Sequence, residues 1–311
     1  MQNTRFEEIL SDIQTMDIPE EGKQAFISSL LRLKEETVNL MITGATGCGK
    51  SSTINALFGE EVAKVGQSPS PETMNITKYE LPNLTIWDTP GLGDGVNMDQ
   101  QHARNIVKKL NERDAKGNLL IDLVLVILDG SSRDLGTSYE LINKVIIPNL
   151  GQNKQNRILV AINQADMAMK GRYWNKEENK PEPQLEAFLE EKVENVRQRI
   201  KEGTGVDITP IYYSAGFKEF GEDQKPYNLS KLLSFLVKYT PTEKRLAYIT
   251  NRNEDVIVWK SNDDKGNYDE DTINSIWETL KETAVDVAKA AIVKYGPKIL
   301  KKGLKWITKL F

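Results

Sequence analysis

Eight residues near the start of the chain, Gly-Ala-Thr-Gly-Cys-Gly-Lys-Ser at 44–51, constrain the fold more than any other segment. Gly44 and Gly49 let the backbone turn tightly enough for successive N–H groups to surround phosphate oxygens. A strand-like run, 37–43, precedes the loop, and a helix-like run, 51–58, follows it. The N-terminus of that helix adds its positive end to the anion site. The segment therefore predicts a strand–loop–helix unit that binds nucleotide phosphates.

Each position of this loop has a predicted role. Lys50 places an ammonium beside the β- and γ-phosphates, and Ser51 offers its hydroxyl to Mg²⁺. Cys48 is the only cysteine, which excludes a disulfide within the chain and fits a reducing compartment. We interpret Cys48 as a small residue that fits the loop, with oxidation sensitivity as the alternative. The residues that we expect to contact the phosphates are Gly44, Ala45, Thr46, Gly47, Cys48, Gly49, Lys50, Ser51 and Ser52.

Residues 37–240 alternate strand-like and helix-like segments. The run that follows Asp122 is continuously apolar, as expected for a central strand that is buried on both faces. The alternation predicts a three-layer α/β domain with a mostly parallel sheet, in which ligands bind at the carboxyl ends of the strands. The strand candidates are 37–43, 74–80, 83–88, 121–128, 157–162 and 208–213, and the helix candidates are 50–58, 99–113, 137–147, 185–202 and 228–238.

Helical segments flank this domain on both sides. Apolar residues recur at helical spacing through 5–34, with a break near Pro19, and again from about Asp271. Within the remainder, 165–184 is predicted to form a long surface loop, and Val256–Trp259 a short strand or hairpin. We expect three regions, namely an N-terminal helical segment (1–36), the nucleotide-binding domain (37–240) and a C-terminal helical region (241–311).

A second motif, Asp88-Thr-Pro-Gly91, closes a strand candidate. In this position Asp88 would hold Mg²⁺, and the N–H of Gly91 would face the γ-phosphate. We choose Thr73, which precedes the motif, as the threonine that reaches Mg²⁺ when a triphosphate is bound. Thr77 and Ser70 are the alternatives.

Two further motifs predict which base is bound. Asn163-Gln164-Ala-Asp166 and Ser214-Ala215 each follow a strand candidate. The Asp166 carboxylate can accept paired hydrogen bonds from N1–H and the 2-amino group of guanine, whereas adenine offers neither donor in that arrangement. Asn163 would brace the neighbouring loops, and the N–H of Ala215 would donate to guanine O6. Each motif alone is weak evidence, but their order and their strand context together favour a guanine site.

With these motifs in place, the chain resembles the translation-factor (TRAFAC) class of GTPases. The stretch 44–59 is similar to immunity-related and AIG1-type GTPases, and the Asn-Gln-Ala-Asp form also resembles bacterial Era/YfjP-like GTPases. The resemblance covers roughly 37–240. It implies a three-layer P-loop GTPase domain, GTP and GDP as ligands, Mg²⁺ as cofactor and GTP hydrolysis as the reaction.

Two positions depart from the common pattern of that class. Gln164 stands where Lys usually covers one face of the base, and Leu92 stands where Ras-like enzymes carry a water-orienting Gln. We therefore expect slow hydrolysis unless a group from elsewhere assists, as in related GTPases that self-associate across the nucleotide face. Arg133 is our candidate for a catalytic group, with Arg104 and His102 as alternatives. The competing interpretations are a solvated loop charge at Arg133 and an ordinary surface helix residue at His102.

The last segment, 298–311, is amphipathic at helical spacing. A Lys-rich face opposite an apolar face with Trp and Phe is typical of a helix that lies in a membrane interface. The alternative is a terminal helix that packs on neighbouring helices and leaves its lysines solvated. The apolar face carries Leu300, Leu304, Ile307 and Phe311, and the polar face carries Lys298, Lys302, Lys305 and Lys309.

The bulk properties exclude several classes. A formal net charge of −4 gives no basic surplus of the kind that indicates a nucleic-acid-binding protein. No apolar run reaches the ~18 residues of a spanning helix, and Met1–Leu31 lacks a signal pattern. We expect a cytoplasmic protein, peripheral at an anionic membrane if 298–311 binds one. The main hypothesis is a slow GTPase switch that forms a homodimer across the nucleotide face. The alternatives are a membrane- or partner-binding module with negligible turnover and, against the evidence of Asp166, an ATP-driven motor or kinase.

Overall fold

The computed structural model describes residues 4–15, 17–59, 62, 76–91, 95–219, 222–283, 289–290 and 293–294. Three predictions fall on other parts of the chain. The roles given to Thr73 and Leu92, and the amphipathic helix at 298–311, lie outside the described residues and stay predictions.

A six-stranded sheet lies at the centre of the molecule, in the spatial order β2-β3-β1-β4-β5-β6. Neighbouring strands are parallel except β2 and β3, which form an antiparallel edge pair. Asn83, with φ of 61°, makes the left-handed turn between these two strands. The prediction of a mostly parallel sheet is confirmed. The strands are β1 (Val38–Gly44), β2 (Thr77–Leu81), β3 (Leu84–Asp88), β4 (Leu123–Asp129), β5 (Ile158–Asn163) and β6 (Ile211–Tyr212).

The central strands are buried on both faces because helices cover both sides of the sheet. Every residue of β5 is buried, and so is every residue of β4 except its last. One face packs against α3 (Lys50–Phe58) and α7 (Leu229–Tyr239). The other face packs against α4 (Val96–Asn111), α5 (Gly136–Glu140, continued as a π-helix over Leu141–Ile146) and α6 (Pro183–Thr204). This is the predicted three-layer arrangement.

The helices before and after the sheet domain share a small core of their own. The segment 5–34 forms two helices, α1 (Thr4–Thr15) and α2 (Glu20–Lys34), with Pro19 at the start of the second, as predicted. Phe26 of α2 stacks on Trp277 of α9 (Tyr268–Thr283) with ring centroids 5.8 Å apart. Leu246, the first residue of α8 (Leu246–Asn251), joins the same cluster. Thus the amino-terminal helices and the region beyond 240 pack together.

The prediction of a strand or hairpin at Val256–Trp259 is wrong, because this stretch forms a 3-10 helix. Asp255 caps it by accepting a hydrogen bond from the N–H of Ile257 at 2.9 Å. The indole N–H of Trp259 donates to the carbonyl of Asn253 at 3.1 Å, which folds the segment back on itself. A cap and a buried anchor, rather than a partner strand, therefore fix its conformation.

The predicted surface loop at 165–184 contains short ordered pieces. Within Ala165–Gly171, two 3-10 turns are separated by a kink at Ala168–Lys170. Trp174–Asn175 pairs with Lys180–Pro181 in a two-residue antiparallel ladder. Helix α6 then begins at Pro183, where proline is favoured in the first turn. The segment positions the end of β5 and presents Met167 and Tyr173 to solvent.

Candidate functional site

The loop between β1 and α3 is shaped by close approaches of its backbone to other motifs. Gly49 has φ of 89°, a left-handed conformation that favours glycine, and a Cβ there would collide with the side-chain amide of Asn163. The Lys50 ammonium donates to the carbonyls of Gly44 at 3.3 Å and Ala45 at 3.2 Å. The loop therefore curls around its own lysine, as a phosphate cradle requires.

Helix α3 begins directly from this loop. Ser51 and Ser52 in its first turn are exposed, so their hydroxyls and N–H groups are available to a ligand. Cys48, in contrast, is fully buried, and burial raises the pKa of its thiol to about 11. A thiol of this kind is unreactive at neutral pH, which fits the interpretation of Cys48 as a small packing residue.

Asp88 ends β3 directly beside β1, where it is paired in register with Ile42. Its Oδ1 is buried and has no hydrogen-bond partner within the described part of the chain. Burial raises the pKa of this carboxyl to about 6, and the nearby Lys50 ammonium opposes that shift. A buried carboxylate oxygen without a partner, beside a phosphate cradle, suits a hard divalent cation. These residues therefore fit Mg²⁺.

The segment after Asp88 is fixed against β1 and the phosphate loop. The N–H of Thr89 donates to the carbonyl of Ile42 at 3.0 Å, and its hydroxyl donates to that of Thr43 at 2.8 Å. Gly91 lies so close to Thr46 that a Cβ would collide with that residue. The structure thus places the second motif against the loop that would hold the γ-phosphate.

The side chain of Asn163 joins three loops at the carboxyl edge of the sheet. Its Nδ2 donates to the carbonyl of Cys48 at 2.9 Å, and its Oδ1 accepts from the N–H of Ala215 at 2.9 Å. Its own carbonyl accepts from the N–H of Gly130 at 2.7 Å. Asn163 therefore braces the loops, the arrangement expected of it from the sequence. The N–H of Ala215 must be shared if it also donates to guanine O6.

Gln164 and Asp166 follow Asn163 in the same motif. The carboxyl of Asp166 is 6% exposed, and burial raises its pKa while a hydrogen bond from Ser214 opposes the rise. Gln164 has φ of 58° and donates from Nε2 to the carbonyl of Gly47 at 2.8 Å. The Asn163 motif thus contacts the phosphate loop at two carbonyls, those of Gly47 and Cys48. Asp166 supplies a buried acceptor of the kind that guanine needs.

The loop after β4 carries Arg133 to the same edge. Arg133 is exposed and makes no hydrogen bond or ion pair with any described residue. Sequence reasoning missed the residue that holds this loop, Lys192 of α6. Its ammonium donates to the carbonyls of Gly130 at 2.6 Å and Ser132 at 2.7 Å. Burial lowers the pKa of this amine, which marks it as partly removed from water.

Of the two alternative catalytic groups, Arg104 is exposed and His102 is not. The interpretation of His102 as a surface residue is wrong, because it is only 2% exposed on α4. The sequence contained a signal for this: His102, Ile106 and Leu110 are spaced four apart, and all three face the core. Its Nδ1 has no hydrogen-bond partner among the described residues.

Comparison with known proteins gives the family of this region. Residues 39–164 match the model of a family described as 50S ribosome-binding GTPase. The matched stretch runs from β1 through the first residue after β5, so it includes the phosphate loop and the Asp88 motif. It ends before Asp166.

Individual relatives agree with this match. Translocase of chloroplast 34 from Pisum sativum is 30% identical over 142 residues, which are 44% of this chain and 44% of that protein. Interferon-gamma-inducible GTPase 10 from Mus musculus is 39% identical over 72 residues, 21% of this chain and 17% of that protein. The uncharacterized protein YfjP from Escherichia coli K12 is 30% identical over 131 residues, 41% of each chain. The chain thus spans less than half the length of these relatives.

Fold, site and family match agree on one conclusion. The central part of the chain has a mostly parallel sheet with the phosphate loop and the Asp88 motif at its carboxyl edge, and residues 39–164 match a GTPase family. Within the described residues, no helix is both long and apolar enough to cross a membrane.

Proposed function

We propose that this protein, which carries a GTPase domain of the translation-factor class, hydrolyses GTP slowly and works as a switch that a second copy completes. The observation that carries the proposal is the Asn163 side chain, which ties the phosphate loop to the base loops. These contacts bring a guanine acceptor, Asp166, and a phosphate-binding ammonium, Lys50, into one site. The triphosphate and the base then bind to a single preformed edge of the sheet.

The residues divide the chemistry between them. Lys50 neutralises charge on the β- and γ-phosphates, and the N–H of Gly91 faces the γ-phosphate. Ser51 and Asp88 would hold Mg²⁺, which neutralises the charge that develops on the phosphates, with Thr73 as the predicted third ligand in the triphosphate state. Hydrolysis removes the γ-phosphate contacts that order the segments around Thr73 and Gly91, which resets the switch.

Self-association is the proposed source of the missing catalytic help. Leu92 offers no hydrogen bond to an attacking water, so this chain alone orients the nucleophile poorly. Arg133 is exposed at the nucleotide edge of β4 and makes no ion pair with any described residue. Such an arginine can reach a nucleotide across a two-fold interface, where a cation stabilises charge on the transferring phosphoryl group.

The test is GTP turnover per molecule measured over a wide range of protein concentrations. We expect turnover to rise with concentration in the wild type and to stay low and flat in Arg133→Ala. Arg199→Ala, which removes an exposed arginine from α6, is the matched control and should behave as the wild type does. A flat profile in the wild type, with GDP binding intact, would refute self-association while leaving the nucleotide site in place.

The tail carries the second candidate function, a nucleotide-dependent module whose output is a membrane surface. We propose it from the amphipathic sequence of 298–311, whose lysines would add about 1 kcal/mol each near anionic headgroups. We also propose that the chain has three regions, 1–36, 37–240 and 241–311, and that the protein is cytoplasmic and peripheral at a membrane. Co-sedimentation with anionic vesicles should be lost on removal of 298–311, whereas GTP binding should remain. Equal sedimentation of the two forms would remove the membrane output.

A further inference from the structure

A second cleft lies at the opposite edge of the sheet from the nucleotide site. Its volume is about 860 Å³. Asp122 and Arg157, which directly precede β4 and β5, form part of its wall, so the cleft opens at the amino ends of these strands. The phosphate loop follows the carboxyl end of β1, which runs parallel to β4. The two sites are therefore separated by the length of the strands. The volume falls in the range of small-molecule sites, about 300–1,000 Å³.

Positive charge dominates the described lining of this cleft. Its cations are Arg113, Arg157, Lys238 and Arg245, and its one carboxylate is Asp122. That carboxylate is already engaged, because Lys244 donates to its two oxygens at 2.8 and 2.9 Å and the N–H of Asn39 donates to it at 2.8 Å. Within the described lining, four cations thus face one carboxylate, and that carboxylate is already hydrogen-bonded to Lys244 and Asn39.

The three guanidinium groups are fixed in place by backbone carbonyls rather than by acids. Arg113 donates to Gly117 at 2.6 Å and Arg157 to Leu150 at 2.6 Å. Arg245 donates to the carbonyl of Thr240 at 3.1 Å. A carbonyl orients a guanidinium but leaves its charge unneutralised, so each group keeps its attraction for an anion.

Partial burial strengthens that attraction. Arg157 is half-buried, and burial lowers the pKa of its guanidinium, which shows that the group has lost part of its hydration. An anion that reaches such a group competes with less water and meets a lower effective dielectric. The electrostatic pull of Asp122 on Arg157 persists, but the hydrogen bonds of Asp122 are directed to Lys244 and Asn39.

The rest of the wall is rich in neutral hydrogen-bonding groups. It includes the side-chain amides of Asn118, Gln152, Asn153 and Asn156, together with Tyr239. Amides both donate and accept, so they suit hydroxyl groups and phosphoryl oxygens equally. Guanidiniums for phosphoryl groups and amides for a polar body are the chemistry of a phosphorylated metabolite.

We propose that this cleft binds a small soluble metabolite that carries two or more phosphoryl groups, at a site distinct from the nucleotide site. The wall carries four cations, and its carboxylate, Asp122, is already paired with Lys244. A polyphosphate with about three to four negative charges would therefore balance the charge of the wall. Arginine forks hold its oxygens in pairs, and the amides hold the remainder of the molecule.

The test is isothermal titration calorimetry with inorganic tripolyphosphate as the probe. The protein is saturated with GDP and Mg²⁺, at equal concentration in cell and syringe, so that the phosphate loop is already filled. Arg113→Glu/Lys238→Glu reverses two exposed charges of the wall. The matched control, Lys108→Glu/Lys176→Glu, makes the same change of net charge at exposed positions outside the cleft. Thermal melting confirms that each variant is folded.

We expect the cleft variant to weaken tripolyphosphate binding by about tenfold or more and the control by less than about twofold. Absence of binding by the wild type, or equal weakening in the two variants, would overturn the proposal. Neither outcome depends on hydrolysis. If a separate titration showed no GDP binding, the proposed GTPase function would fail, whereas the comparison of the two variants would still report on the cleft.

Discussion

Two carboxylates of the nucleotide site are shielded from water, since Asp166 is 6% exposed and Oδ1 of Asp88 is buried. Burial raises the pKa of both, and Oδ1 of Asp88 has no partner within the described residues. Such groups destabilise the ligand-free fold and stabilise the complex. At these residues, the buried charge that favours ligand binding therefore lowers the stability of the ligand-free protein.

For Asp88 this opposition gives a pH-dependent prediction. Its pKa is about 6 in the folded state against 3.8 as the reference value. The folded state thus holds an extra proton between these values, so ionised Asp88 destabilises the ligand-free protein above pH about 6, and the penalty is relieved as the pH falls towards 4. We expect Asp88→Asn to raise the free energy of unfolding at pH 7 by about 2 kcal/mol and to lose Mg²⁺-dependent nucleotide binding.

Urea denaturation of the ligand-free protein at several pH values measures this. The increase in the free energy of unfolding caused by Asp88→Asn should shrink as the pH falls from 7 to 4. Asp17→Asn, at an exposed position, is the control and should change little at any pH. A loss of stability at pH 7 in Asp88→Asn would contradict the assignment of an unsatisfied buried charge.

Asp166 determines the choice of base in the proposed site. Asp166→Asn replaces one acceptor oxygen with an amide donor, which cannot pair with the 2-amino group of guanine. We expect GTP affinity to fall by about 100-fold and that for xanthosine triphosphate, whose base has a carbonyl at that position, to rise. Competition titrations measure both. Equal loss for the two nucleotides would contradict base readout by this side chain, and Asp223→Asn is the exposed control.

For individual residues, the sequence predicted which side chains carry the chemistry better than it predicted their burial and their contacts. The phosphate loop and the Asn163 motif were recognisable because their spacing is dictated by phosphate and base geometry. The burial of His102 was missed because a single polar side chain was interpreted by type rather than by its four-residue spacing to Ile106 and Leu110. Lys192 could not be found at all, since its contacts are with carbonyls of a loop about 60 residues away in sequence.

Among the elements, α6 acts on the Arg133 loop through Lys192. Its ammonium holds two carbonyls of that loop, and the N–H of Gly130 is held by the carbonyl of Asn163. Lys192→Met keeps the aliphatic stem but removes the donors. We expect turnover at high protein concentration to fall by about tenfold with GDP affinity unchanged, because Arg133 loses its fixed position.

Single-turnover and steady-state assays measure turnover, and a separate titration measures GDP affinity. Lys201→Met, which removes an exposed lysine of α6 that pairs with Asp207, is the control and should leave turnover unchanged. Unchanged concentration-dependent turnover in Lys192→Met would show that α6 does not position the loop.

Periodicity predicted the long elements and failed where a short apolar run had no partner strand. The boundaries of α3 were predicted residue by residue because the phosphate loop fixes its start and Gly59 its end. The run Val256–Trp259 has the composition of a strand, but it forms a 3-10 helix that packs against α7. The π-helical part of α5 has no sequence signal, since its register depends on packing against α4 and α6.

On the scale of the whole molecule, the helices at the two ends of the chain behave as one layer. Phe26 of α2 and Trp277 of α9 stack at its centre, and Leu30 and Leu280 flank them. Helical periodicity predicted the apolar faces of these helices, but it could not indicate which faces meet. Periodicity alone therefore predicted 1–36 and 241–311 as separate regions.

Trp277→Ala tests this layer. Removal of the buried Trp277 ring leaves a cavity between α2 and α9, so we expect the free energy of unfolding to fall by about 3–4 kcal/mol. Leu31→Ala, at a neighbouring position of α2 that is 46% exposed, should cost less than about 0.5 kcal/mol. Urea denaturation followed by GDP binding and by far-ultraviolet circular dichroism measures both. Equal losses in the two variants would contradict the shared core.

The bridge made by Asn163 has a consequence for how a nucleotide arrives. The phosphate loop and the base loops are tied to one another by hydrogen bonds of the protein itself, so little ordering entropy of these loops remains to be lost when GDP binds. Capture should therefore be governed by encounter rather than by loop closure, and the heat-capacity change should stay small. The same hydrogen bonds hold these loops around GDP after hydrolysis, so we expect GDP release to be slow as well.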